Sequence, residues 1–386
     1  VVAPDKFKGS LGAEDAAAAI ARGLRAGWSG AEPVCIPMAD GGEGTVDAFV
    51  SGGWERIVRR VCGPLGEPVD AAFAFGRPPG EEPTAVVEMA AASGLALLRA
   101  GGYDVRRAST FGTGQLVRAA LDCGARRIVV ALGGSATNDA GAGLLAALGV
   151  RLETGDGIPL GLGGAALATL GRIATDGLDP RLRRVRIEIA ADVESPLTGP
   201  HGATCVFGAQ KGANAADVAD LERALMNFAD RTAALLGRDV RDEPGSGAAG
   251  GLGFALRAYF GASVRSGAAV VADLRGLPRA LAGAAWCFTG EGAIDAQTSY
   301  GKTVAVVGAL ARAAGARTVA FGGRVEAAAE RSLAQAGIIA IPILAGPATL
   351  AEAQADAAGL LERAAARIAR LLAADACGNS NQPGAR

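Results

Sequence analysis

The sequence predicts an α/β protein of two lobes built on parallel sheet. Eight short β-rich runs, at 1–3, 34–37, 85–88, 127–132, 187–191, 286–289, 318–321 and 338–343, alternate with alanine-rich helical patterns. That order is what parallel strands joined by crossover helices produce. Hydrophobic residues make up 50% of the chain and charged residues 20%, enough apolar side chain to offset the entropy of ordering it. At 386 residues the chain exceeds one ordinary core, so two lobes with a cleft between them is the default architecture.

Local signals place the other elements. Over 214–236 the residues Val218, Leu221, Leu225, Phe228 and Leu235 fall on one helical face, with Asn214 and Asp217 as a capping pair. The last helix starts at Thr349, with Glu352 completing a capping box, and runs through Leu360, Leu361, Ile368 and Leu371 to about Ala374. A polar tail, 375–386, follows. The turn-rich stretch 64–83, with GPLGEPVD and GRPPGEEP, is read as a crossing between lobes, and 274–284 as a second.

Composition excludes several classes of function. The 38 basic and 39 acidic side chains nearly cancel, and eleven Phe, three Trp and three Tyr form no base-stacking cluster, so nucleic acid is not an expected partner. The most apolar stretch, 337–351, contains Pro342 and Pro347 and falls short of the ~20 residues that span a bilayer. The chain opens on VVAPDKFKGS with neither Met nor a signal-peptide pattern, which is read as a few missing residues and a cytoplasmic enzyme. Six scattered cysteines without CxxC spacing and a single histidine, His201, argue against zinc sites and a disulfide framework. The sequence sets no oligomeric state.

The chemistry concentrates in glycine loops. Of the 38 basic residues only Lys6, Lys8, Lys211 and Lys302 are lysine, and all four lie in glycine-containing segments. A compact ammonium suits a phosphate or carboxylate oxygen where arginine's planar fork is too bulky. Asp5, Asp40, Glu88, Asp192 and Glu291 fall at or just after predicted strand ends, where open α/β sheets hold their ligands. Turns also favour Asp for their own reasons, but Asp192 directly follows the apolar run 187–191.

After the strand RRIVVAL comes GGSATNDAGAG, 133–143, running into a helix. Gly133 and Gly134 let the backbone approach an anion, Ser135, Thr137 and Asn138 offer donors, and the helix start offers N–H groups. PMADGGEGT before 46–50 repeats the strand, loop and helix order. GSGAAG, 245–250, matches the dinucleotide GxGxxG pattern but follows RDEP rather than a strand, so it predicts no Rossmann NAD site. AQTSYGKT, 296–303, starts with Ala and stands seven residues after the predicted strand end; it is no Walker A loop, though Lys302 could still meet a phosphate. His201 sits in SPLTGPHGAT with no GxSxG elbow, against a Ser-His-Asp hydrolase.

Together these segments resemble the glycerate kinase family of bacterial glycerate 2-kinases. The match is carried by PDKFKGSL (4–11), MADGGEGT (38–45), TFGTGQL (110–116), GGSATNDAGAG (133–143), Asp192 with PLTGPHGA, FGAQKGA (207–213), PGSGAAGGLG (244–253) and TGEGAID (289–295). The resemblance implies transfer of the γ-phosphoryl group of ATP to D-glycerate, giving 2-phosphoglycerate and ADP, with magnesium. It also implies a discontinuous Rossmann-like domain, assigned to 1–75 and 280–374, and an inserted flavodoxin-like domain, 76–279, with the site in the cleft between them. On this reading Asp192 is either the general base or a magnesium ligand, and Glu291 and Asp295 are further magnesium candidates. Lys8 and Lys211 would offset substrate charge, and Gly133, Gly134, Ser135, Thr137 and Asn138 would cradle phosphate. Asp5, Asp40, Glu43, Thr113 and Lys302 are the remaining binding candidates, and Asp47 is a helix-surface charge. The alternatives are a 3-phosphoglycerate product, another small hydroxy-acid acceptor, or an inactive nucleotide or acid sensor.

Overall fold

The computed structural model describes residues 1–78, 80–98, 102–299 and 302–379. It is a mixed α/β structure with two compact units: Val1–Asp40 with Ala268–Arg386, and Gly41–Gly267. Among the described residues no helix is long and apolar enough to cross a membrane.

The unit Gly41–Gly267 contains β1 (Glu55–Cys62), β2 (Pro68–Gly76), β3 (Thr84–Glu88), β4 (Arg127–Ala131), β5 (Arg151–Glu153), β6 (Arg172–Ala174), β7 (Arg186–Ala190) and β8 (Ser263–Arg265). A six-stranded sheet runs in the order β1-β2-β3-β4-β7-β8, and β5 pairs β6 in a separate ribbon. β3, β4, β7 and β8 are parallel, while β1–β2 and β2–β3 are antiparallel. Every residue of β3 and β4 is buried, because helices cover both faces of a central parallel strand and leave no polar alternation. β1 is the opposite case. It is an edge strand whose ERIVRRVC buries only Ile57 and Val61, so its arginines hide the β-pattern from a reading based on apolar runs.

The other unit holds β9 (Trp286–Ile294), β10 (Arg317–Val325) and β11 (Ile338–Pro342) in the parallel order β11-β10-β9. Val2 extends that sheet, bridging Phe288 on one side and Cys35 on the other, both parallel. The runs 1–3 and 34–37 are therefore single bridges rather than full strands. The helix Ala13–Gly27 lies on the last helix, Ala357–Asn379, and the approach is close: a Cβ on Gly23 would stand 2.2 Å from the Glu362 carbonyl oxygen.

Several boundaries differ from the sequence reading. The chain changes units at 40/41 and 267/268, not at 75/76 and 279/280. The stretch 64–83 holds the β1–β2 hairpin turn and the β2–β3 connection, so its Pro and Gly residues mark tight turns within one sheet. The helix Ala215–Leu236 carries the expected capping box of Asn214 and Asp217, but Leu235 is exposed rather than on the buried face. Thr349 and Glu352 cap a short helix, Leu350–Ala355; Asp356 interrupts it, and the last helix runs to Asn379, past Ala374, with Leu371 exposed. Of the polar tail, 380–386 lies outside the described residues.

Candidate active site

In the unit Gly41–Gly267 the candidate residues gather at the carboxyl edge of the six-stranded sheet. β3 ends in Glu88, whose Oε2 accepts the Val46 N–H at 3.2 Å, and the Gly133 N–H donates to the Gly41 carbonyl at 3.1 Å. A Cβ on Gly133 would lie 2.5 Å from Gly42 Cα, and one on Gly41 would lie 3.0 Å from the Ala190 carbonyl at the end of β7. Glycine at these positions is what lets the 41–45 loop and the loop after β4 lie side by side over the ends of β4 and β7. Glu43 is exposed on the first of these loops. Asp192, two residues past β7, is exposed, and its Oδ1 accepts the Gly267 N–H at 3.3 Å.

The loop after β4 divides in two. Gly134 is exposed and Ser135 half-buried, and their N–H groups donate to no protein acceptor among the described residues. Thr137 and Asn138 are instead fully buried. The Asn138 amide donates to Thr204 Oγ1 at 2.9 Å, and its Oδ1 has no partner. Lys211, 3% exposed, donates from Nζ to the Thr137 carbonyl at 2.7 Å. Burial lowers its pKa to about 8, against the opposing pull of Asp139.

The helix start predicted to offer free N–H groups is already satisfied. Asp139, completely buried, accepts the N–H groups of Thr110 (2.8 Å), Gly141 (3.0 Å) and Gly143 (3.2 Å). It also accepts the hydroxyls of Thr110 and Ser109, while the Leu144 N–H goes to Thr110 Oγ1. Burial pushes the Asp139 pKa up and these donors oppose it. The anion-binding capacity of the loop therefore narrows to Gly134 and Ser135. Thr113 is likewise committed: buried in the helix Phe111–Asp122, its hydroxyl meets Ser93 Oγ at 2.8 Å.

The other unit assembles a second group of candidates around β9. That strand runs to Ile294, so Glu291 sits inside it, opposite Gly322, rather than past its end. Thr298 donates to Glu291 Oε1 at 2.7 Å and accepts the Asp295 N–H at 3.1 Å. Asp5, 5% exposed, accepts Thr303 Oγ1 at 2.6 Å and the Lys6 N–H at 2.7 Å. Burial raises the pKa of Glu291 to about 7; Thr298 and Lys302 oppose the shift, and Asp5 and Asp295 reinforce it. Burial also raises Asp5.

Lys302 is the N-cap of the helix Thr303–Ala313, and AQTSYGKT starts two residues after the end of β9 rather than seven, although its first position is still Ala. Lys6 pairs with Asp40 at 3.6 Å. Lys8 is exposed, with its backbone N 3.0 Å from where a Cβ on Gly292 would stand, which puts its loop beside Glu291. His201 is exposed. The stretch 245–250 leads into a kinked helix, Ala248–Phe260, with no strand before it.

Three residues central to these arrangements were not singled out from sequence: Asp139, Thr298 and Thr303. Asp139 stands where an acid precedes a helix in NDAGAG, and that signal could have marked it as a cap. The two threonines lie within AQTSYGKT, whose threonines are ordinary turn residues until the fold turns them onto carboxylates.

Comparison with known proteins identifies the family. The sequence profile of the Glycerate kinase family matches residues 1–373. The chain is 44% identical over 371 residues to the glycerate kinase of Bacillus subtilis (strain 168), covering 96% of each. It is 45% identical over 304 residues to the glycerate 2-kinase of Escherichia coli (strain K12), covering 78% of this chain and 79% of that one. A crystal structure of a candidate glycerate kinase 2 from Salmonella typhimurium LT2 superposes with a TM-score of 0.84 at 38% identity, over 99% of both chains. The chain belongs to the glycerate kinase family.

Proposed function

We propose that this chain transfers the γ-phosphoryl group of ATP to D-glycerate, giving 2-phosphoglycerate and ADP, and that it works in the cytoplasm. The observation that carries the reading is the exposed carboxylate of Asp192 at the same sheet edge as the open N–H groups of Gly134 and Ser135, in a chain of this family. Phosphoryl transfer asks a protein mainly for positioning, charge neutralisation and a group to take the acceptor's proton. Asp192 would take the proton of the glycerate hydroxyl. Gly134 and Ser135 would bind an anionic oxygen, with the ammonium of Lys211 adding positive potential beneath the loop. In the other unit, Lys8 and Lys302 would meet substrate charge beside Asp5, Glu291 and Asp295.

Magnesium fits the chemistry of that carboxylate group. Its donors are hard oxygens, and Glu291, held near pKa 7 by burial beside Asp5 and Asp295, would gain from a cation. Among the described residues no three His, Cys, Asp or Glu side chains form a metal-holding group. Magnesium commonly takes one or two carboxylates and completes its shell with phosphate oxygens and water. Glu291 and Asp295 are the proposed ligands, and the ion would neutralise phosphate charge.

The test is to incubate the purified protein with ATP, magnesium and D-glycerate, couple ADP release to an absorbance readout and then add enolase. ADP release with immediate enolase turnover supports the 2-kinase. Release without it means the 3-product, and no ADP with D-glycerate, L-glycerate or related acids overturns kinase activity in favour of a sensor.

A further inference from the structure

We propose that a pocket at the amino ends of β4 and β7 binds a small organic phosphate, at a place separate from the candidate residues at their carboxyl ends. The pocket has a volume of about 530 Å³ and is lined by Arg126, Arg181, Arg183 and Arg184. That size is within the range of roughly 300–1,000 Å³ typical of small-molecule sites. Arg181 is already neutralised: Asp179 holds it at 2.7 Å and Asp122 at 2.8 Å. The side chains of Arg126, Arg183 and Arg184 are exposed and, among the described residues, carry no ion pair or hydrogen bond to another group.

Four guanidinium groups against the two carboxylates of Asp122 and Asp179 leave this concavity with a net positive charge, which a bound anion offsets. Their planar donors suit a phosphate better than a single point charge. Leu121, Pro180 and Val185 add an apolar surface on which a carbon skeleton can lie, so a phosphate attached to carbon fits the lining better than bare phosphate.

The fold separates this pocket from the loops already described. Arg126 precedes β4, and Arg183 and Arg184 close the short helical turn Pro180–Arg184 just before β7. β4 and β7 then run in parallel register from Arg127 opposite Arg186 to Ala131 opposite Ala190, about 13 Å at the usual rise per residue. Gly133 and Asp192 lie beyond the far ends.

The test uses the full chain in the presence of ADP and D-glycerate, titrated calorimetrically with glucose 6-phosphate, inorganic phosphate and glucose. The expected result is saturable binding of glucose 6-phosphate that weakens with added salt and falls about tenfold or more, a loss of at least ~1.4 kcal/mol, in the Arg183→Ser/Arg184→Ser double variant and in Arg126→Ser. Inorganic phosphate should bind more weakly and glucose not at all. These side chains are exposed, so the variants should keep the wild-type circular dichroism and ADP-forming activity. Absence of saturable binding, or affinity unchanged in both variants, overturns the site. Inorganic phosphate binding as tightly as glucose 6-phosphate overturns its assignment to organic phosphates.

Discussion

The ammonium of Lys211 donates a 2.7 Å hydrogen bond to the backbone carbonyl of Thr137 while lying 3% exposed. The cation thus supports the loop after β4 from within, and on the proposed reading it adds positive potential for an anion at Gly134 or Ser135. Removing it affects stability and substrate charge together.

Lys211→Met should weaken apparent affinity or turnover for the anionic substrates and leave the Thr137 carbonyl without its donor, a cost of about 1–3 kcal/mol. The folded-state pKa of about 8 lies below the ordinary value of 10.5. Between those values the unfolded chain binds more protons, so wild-type stability rises with pH there relative to the variant. Melting curves across pH 8 to 10 check this; parallel curves for the two proteins would count against it.

Glu291 works in the opposite direction. Its folded pKa of about 7 exceeds the ordinary 4.5, so the folded state holds the extra proton between these values and stability falls as pH rises through the window. The full effect is at most roughly 3 kcal/mol. Glu291→Gln should flatten this slope, and magnesium with nucleotide should release protons from the wild type. Identical pH–stability profiles for wild type and variant would refute the assignment.

Asp192→Asn should reduce turnover by about 10²–10⁴ with the melting temperature unchanged, because the side chain is exposed. If the main change is instead a raised half-saturating magnesium concentration, Asp192 is a ligand rather than the base. Near-normal turnover at all magnesium levels removes it from both roles.

Asp139→Ala should be the most damaging of these changes to the fold, since it strands the N–H groups of Thr110, Gly141 and Gly143 in a buried site. A loss of about 3–5 kcal/mol is expected from breaking a buried charge-assisted network. Denaturant titration with an unchanged m-value measures it. A loss below about 1 kcal/mol would mean that water replaces the carboxylate.

Much of the architecture was legible where local physics and tertiary context agree. The apolar runs behind β3, β4, β7 and β11 read as parallel strands from their alternation with helical patterns, and the capping boxes at Asn214 and Thr349 mark real helix starts. The eight glycine-rich segments in family order marked out the family. β1 was not legible, because an edge strand rich in arginine has no apolar run to find, and β2 was hidden within the turn-rich stretch 64–83 read as a crossing. The length of β9 was hidden in the same way: TGEGAI reads as a loop until β10 pairs with it as far as Ile294.

The sequence alone therefore determined the fold class and the family, and marked the loops proposed to carry chemistry, since these rest on residue type and order along the chain. Tertiary structure decided which members of each loop are available. Thr137 and Asn138 read as donors and Thr113 as a binding candidate, but packing buries them. Asp139 reads as part of an anion loop, yet its carboxylate takes the helix-start N–H groups a phosphate would have used. Thr298 and Thr303 become partners of Glu291 and Asp5 only when β9 and the helix Thr303–Ala313 are folded. The reason is physical: a side chain's chemistry is set by its type, but its hydrogen-bond partners and its share of water are set by segments distant in sequence.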